Sequence, residues 1–223
     1  DVIVENFTPG VMARLGLDYD TVKAVNPKII YCSVSGFGQD GPYKSRPAYD
    51  QIMQGISGLM SITGEPEGEP EKIGIAVTDI GAGMWAAFSI LTAMHHREQK
   101  GEGQYIDVSM LDVAIILQAA SITGHSVSGK APGLSGNKHK YASSELYQTK
   151  EGQLMLGAAN PGQHRRFMSA LGLNHLAHQS YTQRDAQRAE ETKAITEKLR
   201  AKTAIEWEVY LQERHVPAAI LRP

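Results

Sequence analysis

The stretch "KIGIAVTDIGAGMWAAFSIL", Lys72 to Leu91, sets a single carboxylate, Asp79, between an apolar run and a helix start punctuated by Gly81 and Gly83. An acid so placed supports two readings. As a structural element it is the N-cap of the helix that follows, accepting a backbone N–H, a role whose loss costs about 1 kcal/mol. As a chemical element it is a nucleophile. The dipole and free N–H groups of a helix N-terminus would hold the carboxylate ionised, and could receive the oxyanion formed when it attacks a carbonyl. An ionised carboxylate in apolar surroundings is able to form a covalent intermediate. The glycines fit this second reading, because each costs a helix up to about 1 kcal/mol yet leaves room for something to approach closely. The local sequence leaves both readings open.

Other candidate motifs carry less chemistry. "GFGQDG", Gly36 to Gly41, matches the dinucleotide pattern G-x-G-x-x-G and follows an apolar run. A dinucleotide site needs a helix to begin within the motif, whereas Pro42 and "YKSRP" continue as loop. The glycines therefore predict a tight turn at the carboxyl end of a strand, where open α/β sheets bind ligands. The pairs His95/His96 and His175/His178 lack neighbouring cysteines or carboxylates in a ligand arrangement, so no metal site is expected. No G-x-S-x-G elbow supports serine hydrolysis. Cys32, the only cysteine, lies in "KIIYCSVS" and reads as a small buried hydrophobe. Its solitude excludes an intrachain disulfide and fits a reducing cytoplasm. The "NFT" sequon at Asn6 carries no function in that setting.

The elements that must position Asp79 follow an α/β pattern. "DVIVEN" alternates into a strand, and "TPGVMARLG" predicts a helix with Thr8 as N-cap, Pro9 at its first position and Gly16 as its stop. A second helix, "YDTVKAVN", precedes the strand "KIIYCSVSGFG", which implies parallel pairing with a right-handed crossover. "AYDQIMQGISGLMSI" and "GAGMWAAFSILTAMHHREQ" read as helices, the second apolar on nearly every face through Leu91 and so expected to be buried in its first half. "GQYIDVSM" is a strand and "LDVAIILQAASIT" one further helix. Residues 126–140, "SVSGKAPGLSGNKHK", predict a linker between a large domain over 1–125 and a smaller α+β domain over 141–223. In the latter, "SSELYQT" and "GQLMLGAA" are strands joined by "KEG", followed by the helices "GQHRRFMSALG", "RDAQRAEETKAITEKLRAKT" and "AIEWEVYLQERH".

Composition excludes some partners. With 22 Lys plus Arg against 24 Asp plus Glu the net charge is −2, so no overall field attracts nucleic acid or an anionic membrane surface. A hydrophobic content of 42% supports a packed core. No apolar run is read as approaching the roughly 20 residues a bilayer requires, and no leader is evident. The chain opens directly into a strand at Asp1 and stops at Pro223 just after "VPAAIL", so it is expected to be cut from something longer.

Taken together, "DVIVENFTPGVMARLGLDYDTVKAVNPKIIYCSVSGFGQDGPYKSRPAYDQIMQGISGLMSITG", "DIGAGMWAAFSILTAMHHREQKGEGQYIDVSMLDVA", "SGNKH" and "VPA" resemble the central part of the class III CoA-transferases, the family of formyl-CoA transferase and the carnitine-pathway CoA-transferase. The resemblance covers essentially the whole chain, with family segments missing before "DVIVENF" and after "VPA". It implies an open, Rossmann-like parallel sheet with a smaller α+β domain, and an interlocked homodimer. It places the family's nucleophilic aspartate on Asp79. In the family mechanism this carboxylate attacks an acyl-CoA thioester to give a mixed anhydride, CoA returns to form an aspartyl-CoA thioester, and an acceptor carboxylate takes the CoA.

The resemblance assigns contacts with coenzyme A to Asn6, Phe7 and Thr8, to Arg14, and to the loop Pro47, Ala48, Tyr49 and Asp50. Arg14 suits a phosphate, and Phe7 an apolar part of the molecule. Pro47 stands where some members carry lysine, and Arg46 is the available replacement. Tyr49 stands where the family's racemases carry a histidine base. Tyrosine side chains titrate near pH 10 (about), which favours CoA transfer over racemisation. "GKAPGLSGN" is only a loose analogue of the glycine-rich loop of formyl-CoA transferase. The expected activity is thus CoA transfer between carboxylic acids, with an acyl-CoA racemase or a non-catalytic family fragment as alternatives.

Overall fold

Strand β1 (Val2–Glu5) leads through two short helices, α1 (Val11–Arg14) and α2 (Tyr19–Val25), to β2 (Ile30–Ser35). The computed structural model describes residues 1–222. Helix α3 (Asp50–Ile56) and a short 3-10 turn (Met60–Ile62) precede the long helix α4 (Val77–Lys100), then come β3 (Gln104–Ser109), α5 (Met110–Leu117) and α6 (Ala119–Ser128). The strands form a parallel sheet in the order β1-β2-β3, in register through Val4, Cys32 and Ile106. The expected parallel pairing is therefore present. Buried Cys32 and Val108 on one sheet face pack with Met53 of α3 and with Ala82 and Ala86 of α4. The opposite face carries Tyr31 and Tyr105, against which Tyr19 of α2 packs with ring centroids 6.1 and 5.1 Å away.

Four local expectations are corrected in this first compact unit, residues 1–134. Helix α1 starts at Val11, not at Pro9, because Pro9 and Gly10 first make a turn: Gly10 sits at φ 87° and the Thr8 carbonyl accepts the Val11 N–H at 3.1 Å. The run after β3 is two helices bent by 63° rather than one. At the bend, Gln118 donates its side-chain amide to the Ala114 and Ser57 carbonyls. Helix α6 continues to Ser128, inside the predicted linker, and closes at Gly129 in the left-handed region.

The fourth correction concerns α4. It meets β2 and β3 through a stripe of alanines, Ala82, Ala86 and Ala93, while Met84, Phe88 and Leu91 on its other side are 70%, 63% and 64% exposed. Small residues let the helix lie close to the sheet, and the bulky ones fall on the face that the sheet does not reach. The first half of α4 is thus not buried. By length and composition α4 is also apolar enough to cross a membrane, contrary to the reading of the run lengths; here its alanine stripe makes it a layer packed on a sheet.

The second unit, from residue 135 onward, is α+β. Strands β4 (Leu146–Gln148) and β5 (Gln153–Leu156) form the expected hairpin, and the apolar end of the chain adds β6 (Ala218–Ile220) antiparallel to β5. Helices α7 (Pro161–Ala170), α8 (Tyr181–Ala186), α9 (Arg188–Leu199) and α10 (Ala204–Gln212) surround a core that includes Leu154, Phe167, Met168, Ile195 and Leu211. The single charged helix expected near residue 190 breaks at Gln187 into α8 and α9; Ser180 caps α8 in a reciprocal capping box with Gln183. The parallel α/β unit and the smaller α+β unit together give the fold class expected.

Candidate active site

Asp79 is not the cap of α4. The helix begins at Val77 with Ala76 in the cap position, which makes Asp79 its third residue. The capping acceptor comes from elsewhere in the chain. One carboxylate oxygen of Asp50, in the first turn of α3, accepts the Thr78 backbone N–H at 2.8 Å and the Thr78 hydroxyl at 2.7 Å. The other accepts the side-chain amide of buried Gln54 at 2.6 Å, and Gln54 in turn accepts the Ile73 N–H at 2.8 Å. Burial alone would raise the pKa of Asp50, but the donors from Thr78, Gln54 and the Asp79 amide outweigh it and hold the carboxyl below its ordinary value.

This arrangement changes the electrostatics of Asp79. Its pKa is raised, first by desolvation and then by the negative charge of Asp50. The helix start does not hold it ionised in the way the sequence predicts. Three of its amides are engaged: Val77 donates to the Ile75 carbonyl at 2.9 Å and Ile80 to the Ala76 carbonyl at 3.0 Å, while Thr78 donates to Asp50 at 2.8 Å. Those three amides are therefore not free to receive an oxyanion. A carboxylate made more basic is the stronger nucleophile in its ionised form.

The glycines separate into two roles. A Cβ on Gly81 would stand 2.7 Å from Val113 Cγ1, so this glycine serves the contact between α4 and α5. Around Gly83 there is open space, and Gly83 borders the groove into which Asp79 opens. Only the second leaves room for a ligand.

That groove has a volume of about 550 Å³. Asp79, Ala82 and Gly83 of α4 form one wall, Asn6, Phe7 and Thr8 after β1 another, and Pro47, Ala48 and Tyr49 a third. Asn6 is fixed by donating its side-chain amide to the Val34 carbonyl at 2.9 Å. Phe7 is exposed, with its N–H held by the Glu5 carboxylate at 2.8 Å. The Pro47 to Tyr49 loop lies against the end of β2 because Gly36 has no side chain: a Cβ there would be 2.1 Å from that of Ala48. Gly38, at φ +87°, completes the turn, and the Asp107 carboxylate accepts the Gln39 N–H at 2.8 Å. "GFGQDG" is thus a turn after a strand, with no helix in the motif, as its context predicts.

The structure brings together Asp79, Asn6, Phe7, Thr8, Pro47, Ala48 and Tyr49, and leaves out Arg14 and Asp50. Arg14 is exposed at the last position of α1 and does not border the groove. Asp50 is 8% exposed, committed to Thr78 and Gln54, and borders only a shallow neighbouring hollow. In the structure it holds the start of α4. Tyr49 is 70% exposed and borders both spaces.

Lys44 and Ser35 also line the groove and were missed. A basic residue in the loop after "GFGQDG" was the available signal for Lys44; Ser35 had none in the sequence. Arg46 lines the groove as well, its guanidinium 3.6 Å from the centre of the Tyr43 ring, which meets Phe37 edge-on at 5.6 Å. Among the described residues no cluster of three His, Cys, Asp or Glu side chains could hold a metal ion.

A family model described as CoA-transferase family III matches residues 1–223. The chain is 45% identical over 178 residues to the succinate–glutarate CoA-transferase of Agrobacterium fabrum, covering 79% of this chain and 44% of that protein. It is 35% identical over 231 residues to the acetyl-CoA:oxalate CoA-transferase of Acetobacter aceti, covering 99% of this chain and 58% of that one. Among solved structures, a CAIB/BAIF family protein from Brucella suis superposes with a TM-score of 0.84 at 35% identity, covering 100% of this chain and 60% of its own. Rv3272 from Mycobacterium tuberculosis superposes with a TM-score of 0.88 at 29% identity, covering 100% and 61%. The chain spans about half the length of the curated relatives it matches.

Proposed function

Because the chain belongs to CoA-transferase family III, we propose that it moves coenzyme A between carboxylic acids, with Asp79 as the nucleophile. One observation carries this reading: a single groove joins Asp79 to the segments Asn6–Thr8 and Pro47–Tyr49, which the family resemblance assigns to coenzyme A. Asp79 attacks the thioester carbonyl, expelling CoA thiolate and leaving an aspartyl anhydride; the thiolate then attacks the Asp79 acyl carbon, releasing the donor acid as carboxylate and giving aspartyl-CoA; the acceptor carboxylate displaces CoA thiolate to form a second anhydride, and the thiolate attacks its acceptor acyl carbon, giving the new acyl-CoA and freeing the Asp79 carboxylate. Lys44 and Arg46 supply positive charge at the groove for phosphate or carboxylate groups. The named substrates of the relatives, among them succinate, glutarate and oxalate, favour short dicarboxylic acids here too. Tyr49 in place of a histidine base supports transfer over racemisation.

A homodimer is part of this reading, supported by the unpartnered apolar side of α4 at Met84, Phe88 and Leu91. A reducing cytoplasm is the proposed setting, on the ground of a single, buried, unpaired cysteine. Membrane and nucleic acid are not proposed as partners.

The test is covalent trapping. The chain is incubated with succinyl-CoA or acetyl-CoA, quenched with hydroxylamine and examined by mass spectrometry. A hydroxamate on Asp79, absent from Asp79→Ala, is the expected result. No label with any donor in a panel of acyl-CoA thioesters would overturn the reading in favour of a non-catalytic family fragment.

A further inference from the structure

Asp79 stands where two hollows meet. The groove of about 550 Å³ lies against it, and so does a smaller hollow of about 250 Å³; among the described residues only Asp79 and Tyr49 border both. Tyr49, at the cap position of α3, marks the divide between them. Sites for drug-sized ligands run to roughly 300–1,000 Å³, so the smaller hollow suits a small molecule and not coenzyme A. Its lining selects the charge of that molecule. Lys72 borders it, and among the described residues the Lys72 ammonium enters no ion pair, although Glu69 and Glu71 lie beside it in the chain. Gly74, Ile75 and Ala76 bring the start of α4 to another side, where the helix dipole favours an anion. The opposing charge is Asp50, which is 8% exposed and has its oxygens taken up by Thr78 and Gln54.

Exchange of CoA between acids has a use for both spaces. A thioester carbonyl carbon carries the CoA sulfur on one side and the acyl chain on the other, so with CoA in the larger groove a carbonyl held at Asp79 directs its acyl chain toward the smaller hollow. We propose that this hollow holds the acid being exchanged, and that Lys72 pairs with the far carboxylate of a short dicarboxylic acid, an inference that rests on the transferase reading. An ammonium is a compact charge with rotatable donors on a flexible stem, able to follow acids of slightly different length. The acceptor acid uses the same place, because its half of the exchange is the donor half run in reverse. Lys72 is thus a specificity contact. It keeps its protons and makes no covalent bond, and the acyl transfers at Asp79 are those already described.

Rates of hydroxylamine labelling of Asp79 from succinyl-CoA and from butyryl-CoA, an acyl chain of equal length without the far carboxylate, test the assignment. The unaltered chain is expected to prefer succinyl-CoA, and Lys72→Met to lower that preference about 10-fold, the loss of one hydrogen bond to a charged group. The melting temperature should stay unchanged, since Lys72 is exposed. Lys72→Arg, which keeps the charge, is expected to restore part of the preference. Lys44→Met, which alters the larger groove alone, is expected to slow both donors alike. An unchanged preference in Lys72→Met, or an equal slowing of both donors by it, overturns the assignment. If the unaltered chain labels Asp79 from both donors without preference, only the Lys72 assignment fails; if it labels from no acyl-CoA, the transferase reading fails and the assignment falls with it.

Discussion

Asp50 and Glu191 are both buried carboxylates, 8% and 0% exposed, and the chain treats them in opposite ways. Asp50, in the parallel α/β unit, receives donors from Thr78 and Gln54, and its pKa falls below the usual carboxylate value. Glu191, in the α+β unit, accepts no hydrogen bond; its nearest cationic candidate is His164, with Nε2 3.6 Å away. Burial pushes Glu191 up to about 7, against the attraction of Arg184 and Arg188, with Glu190 adding to the rise. A buried acid that is fully paired can fix the start of a helix and shape a site. One that is not paired makes stability depend on protonation.

The largest effect expected from this contrast follows removal of the satisfied acid. Asp50→Ala leaves the buried Thr78 donors without an acceptor and Gln54 with only the Ile75 carbonyl at 3.4 Å, and takes away the cap of α4. A loss of about 3 kcal/mol is expected in denaturant unfolding of the first unit, together with loss of Asp79 labelling. A change below about 1 kcal/mol would show that the network does not hold α4.

The opposite acid should respond in the opposite sense. The folded-state pKa of Glu191, about 7, lies above its ordinary 4.5, so the native state holds an extra proton between those values. The associated stability is full below about pH 4.5 and is lost as pH rises through 7, a swing on the order of 3 kcal/mol. His164 runs the other way. Burial lowers its pKa below 6.5, so stability is lost as pH falls and the unfolded imidazole takes up a proton. Glu191→Gln is therefore expected to raise the melting temperature at pH 8, with the gain shrinking toward pH 5. Equal shifts at both pH values would refute an orphan carboxylate as the cause.

A smaller pair of effects separates the glycines beside Asp79. Gly81→Ala drives a methyl into Val113 and is expected to destabilise by about 1–3 kcal/mol. Gly83→Ala meets nothing and is expected to stabilise α4 by up to about 1 kcal/mol, while slowing labelling because its methyl enters the groove. Thermal melts beside labelling rates decide both. The smallest contrast concerns charge: Arg46→Ala should weaken acyl-CoA affinity measurably and Arg14→Ala less, since only Arg46 borders the groove; calorimetric titration with succinyl-CoA would show it.

Much of the frame was legible along the chain. Alternation in "DVIVEN" and "GQYIDVSM" and the apolar run of β2 marked the strands, and Pro42 after "GFGQDG" ruled out a helix there. What was misread is instructive. The apolar surround of Asp79 implied burial of α4, yet periodicity does not say which face meets the sheet, and the alanines took that place. The cap of α4 was assigned to the nearest acid in sequence, whereas the acid that supplies it comes from Asp50 in the first turn of α3.

By itself, the sequence determined the strand and helix order, the family, and the presence of one carboxylate beside two glycines, because these depend on residue type and local spacing. Only the tertiary structure decided which groups surround that carboxylate. Hydrogen bonds between Asp50 and Thr78 and the closeness of Val113 to Gly81 are meetings of residues far apart in the chain. Direction and distance in space set their strength, and neither is written in a local run of letters.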